Sequence, residues 1–181
     1  MRYYTIPYFS VKSPLCYNVR MTILGVDPGI ARTGWGIIEK TTNLQLKTQN
    51  FGCIETEAGL PIKARLLTIR KELVRIIKKH KPQALAVEDL FFNTNVKTAL
   101  IVGQARGVII VTAAELGLEV FSYTPLQVKT AITGYGRAEK GQMGKMVKML
   151  LNLKSIPKPD DTVDALACAL ACAFSYKLKS L

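Results

Sequence analysis

A mixed α/β fold, with a five-stranded β-sheet flanked by helices on both faces, is predicted by three features of the sequence. Three apolar, strand-like segments follow one another between residues 22 and 56 across short turns, as antiparallel neighbours do. Beyond residue 61 the apolar period changes, and helical segments alternate with two short apolar strands, which implies crossover connections and a partly parallel sheet. At 181 residues, 49% hydrophobic and 21% charged, the chain suffices for one domain with a full core and is too apolar to be mainly disordered.

Each element has its own signal. Thr22–Asp27 is an apolar run that stops at the turn pair Pro28-Gly29. Thr33–Glu39 follows closely enough to pair back on it as a hairpin, and Gln45–Thr56 supplies a third strand with Leu46, Phe51 and Ile54. From Pro61 to Lys79, Leu66, Ile69, Leu73, Ile76 and Ile77 recur at helical spacing, with Lys63, Arg65, Arg70, Lys71, Arg75, Lys78 and Lys79 on the other face. Ala84–Glu88 is a short buried strand. Val96–Leu116 is a helix with so few polar residues that it should be covered on nearly all sides. Its small residues Gly103, Ala105, Gly107, Ala113 and Ala114 leave two covers open: a second copy on a two-fold seam, or the last helices of the same chain. Glu119–Tyr123 is a strand, Leu126–Ile132 a short helix and Gly134–Gly136 a loop, and helices over Ala138–Leu153 and Asp161–Tyr176 complete the chain.

Residues 1–20 lack the unbroken apolar stretch of a signal peptide and read as an irregular extension ahead of a single domain over 21–181. Met21 opens the strand pattern and could be the working initiator; a basic, tyrosine-rich arm touching nucleic acid is the other reading. Arg106 and Glu115 interrupt the longest apolar run short of the roughly 20 residues of a membrane span, so no membrane role is expected. Four cysteines without a dense framework suit a reducing, cytoplasmic setting. Cys168 and Cys172, one helical turn apart, read as core thiols, and one histidine, His80, makes a His-rich zinc site improbable.

Lys and Arg number 25 against 13 Asp and Glu, a net charge of +12, which points to a polyanionic partner. Against that background three acidic positions stand out. Asp27 and Glu88 each end an apolar strand, at the lip of the sheet. Asp161 and Asp164, three apart, share one face at the start of the last helix, which Asp160 can cap. If the two strands are neighbours and the helix crosses their ends, four carboxylates converge. Such a cluster cannot stay ionised without cations, and an all-oxygen set selects Mg²⁺ or Mn²⁺. Two such ions about 3.5–4 Å apart can hold a phosphodiester and activate water, so metal-assisted phosphodiester hydrolysis is the leading reading. The plainer one is that all four are solvated strand ends and helix-start charges.

Leu24-Gly25-Val26-Asp27-Pro28-Gly29, Thr33-Gly34-Trp35-Gly36 and Val87-Glu88-Asp89-Leu90-Phe91-Phe92 resemble segments of the RuvC-type Holliday junction resolvases. So do Gly103-Gln104-Ala105-Arg106-Gly107, Gln127-Val128-Lys129, Gly136-Arg137-Ala138-Glu139-Lys140 and Asp161-Thr162-Val163-Asp164-Ala165-Leu166-Ala167, in family order. The resemblance implies a ribonuclease-H-like fold, a homodimer, and symmetric paired nicking of four-way DNA junctions with two Mg²⁺ per site. It also implies a branch-migration helicase complex of the RuvA and RuvB type as partner. The family's acidic quartet falls on Asp27, Glu88, Asp161 and Asp164, with Asp160 the alternative to Asp161. Phe91 matches the residue thought to wedge into junction bases, and Lys129 and Lys140 match basic positions near the scissile phosphates. Arg137 lies with them in a basic run, Lys129 to Lys158, opposed only by Glu139, which suits DNA backbone. A nuclease acting on RNA or RNA–DNA hybrids and a non-catalytic junction-binding module are the competing readings.

Overall fold

β1 (Arg20–Asp27) lies at the centre of a five-stranded sheet. β2 (Arg32–Thr41) pairs antiparallel with it, and β3 (Leu46–Glu55) pairs antiparallel with β2 across a register shift between Ile37 and Ile38. On the other side β4 (Ala84–Glu88) runs parallel to β1, and β5 (Glu119–Tyr123) parallel to β4, giving the order β3-β2-β1-β4-β5. The parallel joins need crossovers. α1 (Ile62–His80) leads into β4, and α2 (Val96–Glu115) into β5. α3 (Pro125–Thr133), α4 (Lys140–Leu150) and α5 (Asp160–Ser175) follow. This computed structural model describes residues 20–41, 45–89 and 96–176, so the sequence-predicted roles of residues 1–19 and of Phe91 lie outside the described residues.

Strand alternation sorts the core into two layers. Leu24, Val26, Ile37, Leu85 and Val87 face α1 and α2, where Ile69, Leu73, Ile77 and Ile109 meet them. Met21, Ile23, Ile38, Ala84 and Ala86 face α5, whose buried residues run from Thr162 to Ala173. Sheet residues facing α5 are small where the helix crosses closest. An added Cβ at Gly25 would strike the Ala165 carbonyl oxygen, one at Gly34 the Asp161 carbonyl oxygen, and one at Gly36 the Leu166 side chain. The far end of α5 is held by Lys40, which is 5% exposed and donates from Nζ to the carbonyl oxygens of Ala173 and of Tyr176, the latter at 2.9 Å. A lysine at a helix C-terminus satisfies carbonyls that lack intrahelical partners.

Every strand and helix predicted from the sequence is present, with differences at the ends. The helix predicted over Ala138–Leu153 is confined to Lys140–Leu150, because Glu139 and Gln142 form a capping box that fixes its start. Asp160 is the first residue of α5 rather than its cap; Pro159 holds that position, and no side chain caps the helix.

Of the two covers the sequence left open for α2, the fold removes one. Leu100 is 60% and Val111 57% exposed, so one chain alone does not cover the helix. The last helices lie on the opposite face of the sheet and cannot cover it. By length and composition alone its segment Thr98–Glu115, of mean hydropathy 1.3, could cross a membrane. Its packing on α1, β4 and β5, and its Arg106 side chain bonded to the sheet end, make it a helix of this domain.

Candidate active site

Alternation that buries Ile23 and Gly25 under α5 carries Asp27 to the same face one step further on, and β4 does the same for Ala84, Ala86 and Glu88. The two carboxylates therefore leave neighbouring parallel strands on one side of the sheet. α5 runs back across that side with its N-terminus at their level, and Gly34, the register partner of Asp27, lies against the Asp161 backbone. Asp161 and Asp164 are thus delivered over Asp27 by a helix end whose dipole favours negative charge.

The electrostatics record the convergence. Burial, then the charges of Asp164, Glu88 and Asp161, pushes the Asp27 carboxyl from its ordinary 3.8 up to about 8, with Lys140 opposing. Burial, Asp164 and, more weakly, Asp89 push Glu88 from 4.5 to about 7, against Lys129 and Lys140. Asp164 is raised as well, chiefly by burial, with Lys140 opposing and Asp161 and Asp160 adding to the shift. Cys168 is wholly buried and senses the charges of Glu88, Asp27 and Asp164; it is the core thiol expected, raised far above its usual range by burial. Asp161 sits 3.4 Å from the Arg32 guanidinium and acts on Asp27, whereas Asp160 is exposed and is felt at Asp164.

A pocket of about 170 Å³ opens beside the cluster, lined by Glu88, Asp164, Lys129, Lys140, Pro125, Val128 and Met143. Two carboxylates and two ammonium groups lining one pocket suit an anionic ester held next to cations. Among the described residues no three acidic, His or Cys side chains close into a ready coordination shell. The raised proton affinity of Asp27, Glu88 and Asp164 is the response of a desolvated acidic cluster short of positive charge. The donors are all oxygen, so hard divalent ions fit the site.

Lys129 and Lys140, expected near the scissile phosphates, line the pocket together with Glu88 and Asp164. Arg137 is exposed on the loop between α3 and α4 and is not among the pocket residues. The rest of the basic run, Lys145, Lys148, Lys154 and Lys158, is exposed alongside. Phe91 lies outside the described residues. Two arginines were missed by sequence reasoning. Arg32, paired with Asp161, carried no signal beyond following a turn. Arg106 carried one: it is an isolated charge in an apolar helix, and it bonds the backbone of Glu88.

The chain is also similar to known proteins over most of its length. The family described as "Crossover junction endodeoxyribonuclease RuvC" matches over residues 23–172. A crossover junction endodeoxyribonuclease RuvC from Alkaliphilus oremlandii is 54% identical over 153 residues, 84% of this chain and 93% of that protein. The one from Caldicellulosiruptor saccharolyticus is 53% identical over 150 residues, 83% of this chain and 90% of its own length. Among solved structures, T. thermophilus RuvC in complex with Holliday junction substrate superposes with a TM-score of 0.81 at 36% identity, covering 85% of this chain and 93% of that one.

Proposed function

Because this chain belongs to the RuvC family of crossover junction endodeoxyribonucleases, with a ribonuclease-H-like fold, we propose that it resolves Holliday junctions by symmetric paired nicking in DNA recombination and repair. Each nick is a phosphodiester hydrolysis that leaves a 5′-phosphate and a 3′-hydroxyl. The observation that carries the reading is the meeting of Asp27, Glu88, Asp161 and Asp164 beside a pocket bearing Lys129 and Lys140.

The chemistry assigns each group a task. Asp27, Glu88, Asp161 and Asp164 hold the divalent ions, two Mg²⁺ per site with Mn²⁺ able to substitute. When bound, those ions supply neutralisation of the phosphodiester and activation of the attacking water. Lys140 and Lys129 lower the cost of keeping the carboxylates ionised and face the incoming phosphate. Arg137 and the exposed lysines of the basic run track the DNA backbone, which makes affinity fall steeply with salt. Phe91, by its family match, stacks on a junction base near the nick. Buried Val128 and Met143, with half-buried Pro125, limit water around the acids beside the pocket, which strengthens every charge interaction there.

Paired nicking needs two sites related by symmetry. The exposed Leu100, Ile101 and Val111 of α2, with open space at Gly107, give an apolar seam for a second copy. A branch-migration helicase of the RuvA and RuvB type would deliver the junction.

The test is a comparison of synthetic four-way junction, linear duplex and RNA–DNA hybrid of one sequence in Mg²⁺. The expected result is paired nicks in the junction alone. Asp27→Asn should abolish cutting while junction binding is retained or tightened, because a charge that repels phosphate is gone. Equal cutting of the hybrid, or parental cutting by the variant, would sink the reading.

A further inference from the structure

We propose that Arg106 is a positioning residue that fixes Glu88 in the active site; the proposal rests on the nuclease reading above. Between Lys97 and Glu115, Arg106 is the single charged residue of α2. Its side chain is 22% exposed, so its charge is turned inward instead of being left in water.

What it grips is specific. Its Nε donates to the carbonyl oxygen of Glu88 at 3.1 Å, and its Nη2 donates to Asp89 Oδ1 at 2.6 Å and to Ser122 Oγ at 2.7 Å. One planar group thus ties together the end of β4, the end of β5 and the middle of α2. Glu88 needs such a tie. The β1–β4 ladder ends with the pair Val26 and Val87, so Glu88 is already past it, and on the sheet it pairs only with Tyr123 of β5. The Asp89 N–H continues that edge by donating to the Tyr123 carbonyl oxygen at 2.8 Å. Without Arg106, the Glu88 carbonyl and the Asp89 carboxylate would lose their common partner at the point where the strand leaves the sheet.

The Asp89 carboxylate is engaged by Arg106 in a charge-assisted bond and is not among the residues that line the pocket. The fork geometry matters: a lysine offers a point charge and cannot present the Nε and Nη2 donors in one plane. Groups that orient a metal-holding side chain without touching the metal typically change affinity or rate by about 10- to 100-fold when removed.

The experiment uses the full chain with Arg106→Gln, Arg106→Lys, Asp89→Asn and the pair Arg106→Gln/Asp89→Asn. Four quantities are read: single-turnover nicking of a synthetic junction, junction affinity in chelator, Mn²⁺ binding by calorimetry, and melting temperature. Arg106→Gln should nick roughly 10- to 100-fold more slowly and bind Mn²⁺ more weakly by a similar factor, with junction affinity held within about twofold. Arg106→Lys should recover little of either. Adding Asp89→Asn to Arg106→Gln should cost less than it does in the parent, since the partner is already gone.

A merely structural arginine would lower the melting temperature and leave Mn²⁺ affinity and the rate at saturation in place, and that outcome overturns the proposal. So does loss of cutting in step with loss of junction binding. If Arg106→Gln fails to fold, Arg106→Lys and Ser122→Ala carry the same readouts. A parent that cuts beside a variant that cuts equally well sinks this proposal alone, whereas a parent that binds the junction without cutting it sinks the nuclease reading first.

Discussion

Gly34→Ala adds one methyl group at the point where β2 meets the first turn of α5. The new Cβ would lie inside the Asp161 carbonyl oxygen and close to its carbon, both backbone atoms that have no rotamer to yield. Restoring the 3.0 Å that Cβ contacts respect requires strand and helix to part by about 1 Å. The helix cannot move off as a unit. Its far end is bonded by Lys40 at Ala173 and Tyr176, and its middle rests on Gly25 through Ala165 and Ala169. The strain therefore falls on the N-terminal turn, which carries Asp161 and Asp164 and sits beside Asp27, the register partner of Gly34. An overpacked contact of this kind costs roughly 1–3 kcal/mol of stability. A 1 Å displacement of catalytic groups costs on the order of 10²-fold in rate, so activity should suffer more than folding.

Gly36→Ala is the matched comparison. Its added Cβ meets the Leu166 side chain, whose end can rotate away, and it is one step further from the acids. Nicking of a synthetic four-way junction under single-turnover conditions, with melting temperatures alongside, separates the two. Gly34→Ala should cut about 100-fold more slowly than parent, while Gly36→Ala should lose stability with a rate within about fivefold. A folded Gly34→Ala protein that cuts at the parental rate would refute the close approach of α5 as the device that sets the site. Equal rate losses in both variants would refute the localisation of the strain.

Two further outcomes follow from the same structure. The Asp27 carboxyl is raised from 3.8 to about 8, so the folded protein holds a proton that the unfolded chain releases. That contribution is fully present below about 4 and is lost as pH rises through 8. In chelator, Asp27→Asn should therefore be more stable than parent by roughly 1–3 kcal/mol at pH 8, with the gain shrinking towards pH 5. Urea unfolding at the two pH values checks this, and a gain that grew as pH fell would contradict the sign. Val111→Glu places a charge in the exposed apolar seam of α2 and should convert a dimer to monomers in analytical ultracentrifugation, with junction cutting lost or reduced to single unpaired nicks. A variant that stayed dimeric and cut in pairs would show that the seam lies elsewhere.

Much of this was legible in the chain itself because it is written in local pattern. Strand alternation and helical spacing are short-range signals, and they located the five strands and five helices of the described residues to within a few residues. The same parity put Asp27 and Glu88 at the tips of apolar strands, and the three-residue interval put Asp161 and Asp164 on one helical face. Capping chemistry was readable too, although the Glu139–Gln142 box that shortens α4 was overlooked. For α2 the sequence called for a cover and left its source open between a second copy and the last helices, because periodicity does not say what packs on an apolar face.

Sequence alone determined the inventory: a basic chain, a mixed sheet, acids at strand ends and a family likeness to nucleases. Folding decided the distances. Only the packing of α5 onto glycines of β1 and β2 brings Asp161 and Asp164 over Asp27, and only the crossing of α2 over the sheet end lets Arg106 reach Glu88 from 18 residues away. Contacts between residues far apart in the chain depend on how whole elements dock, and docking is governed by side-chain volume summed over both partners rather than by any one segment's pattern.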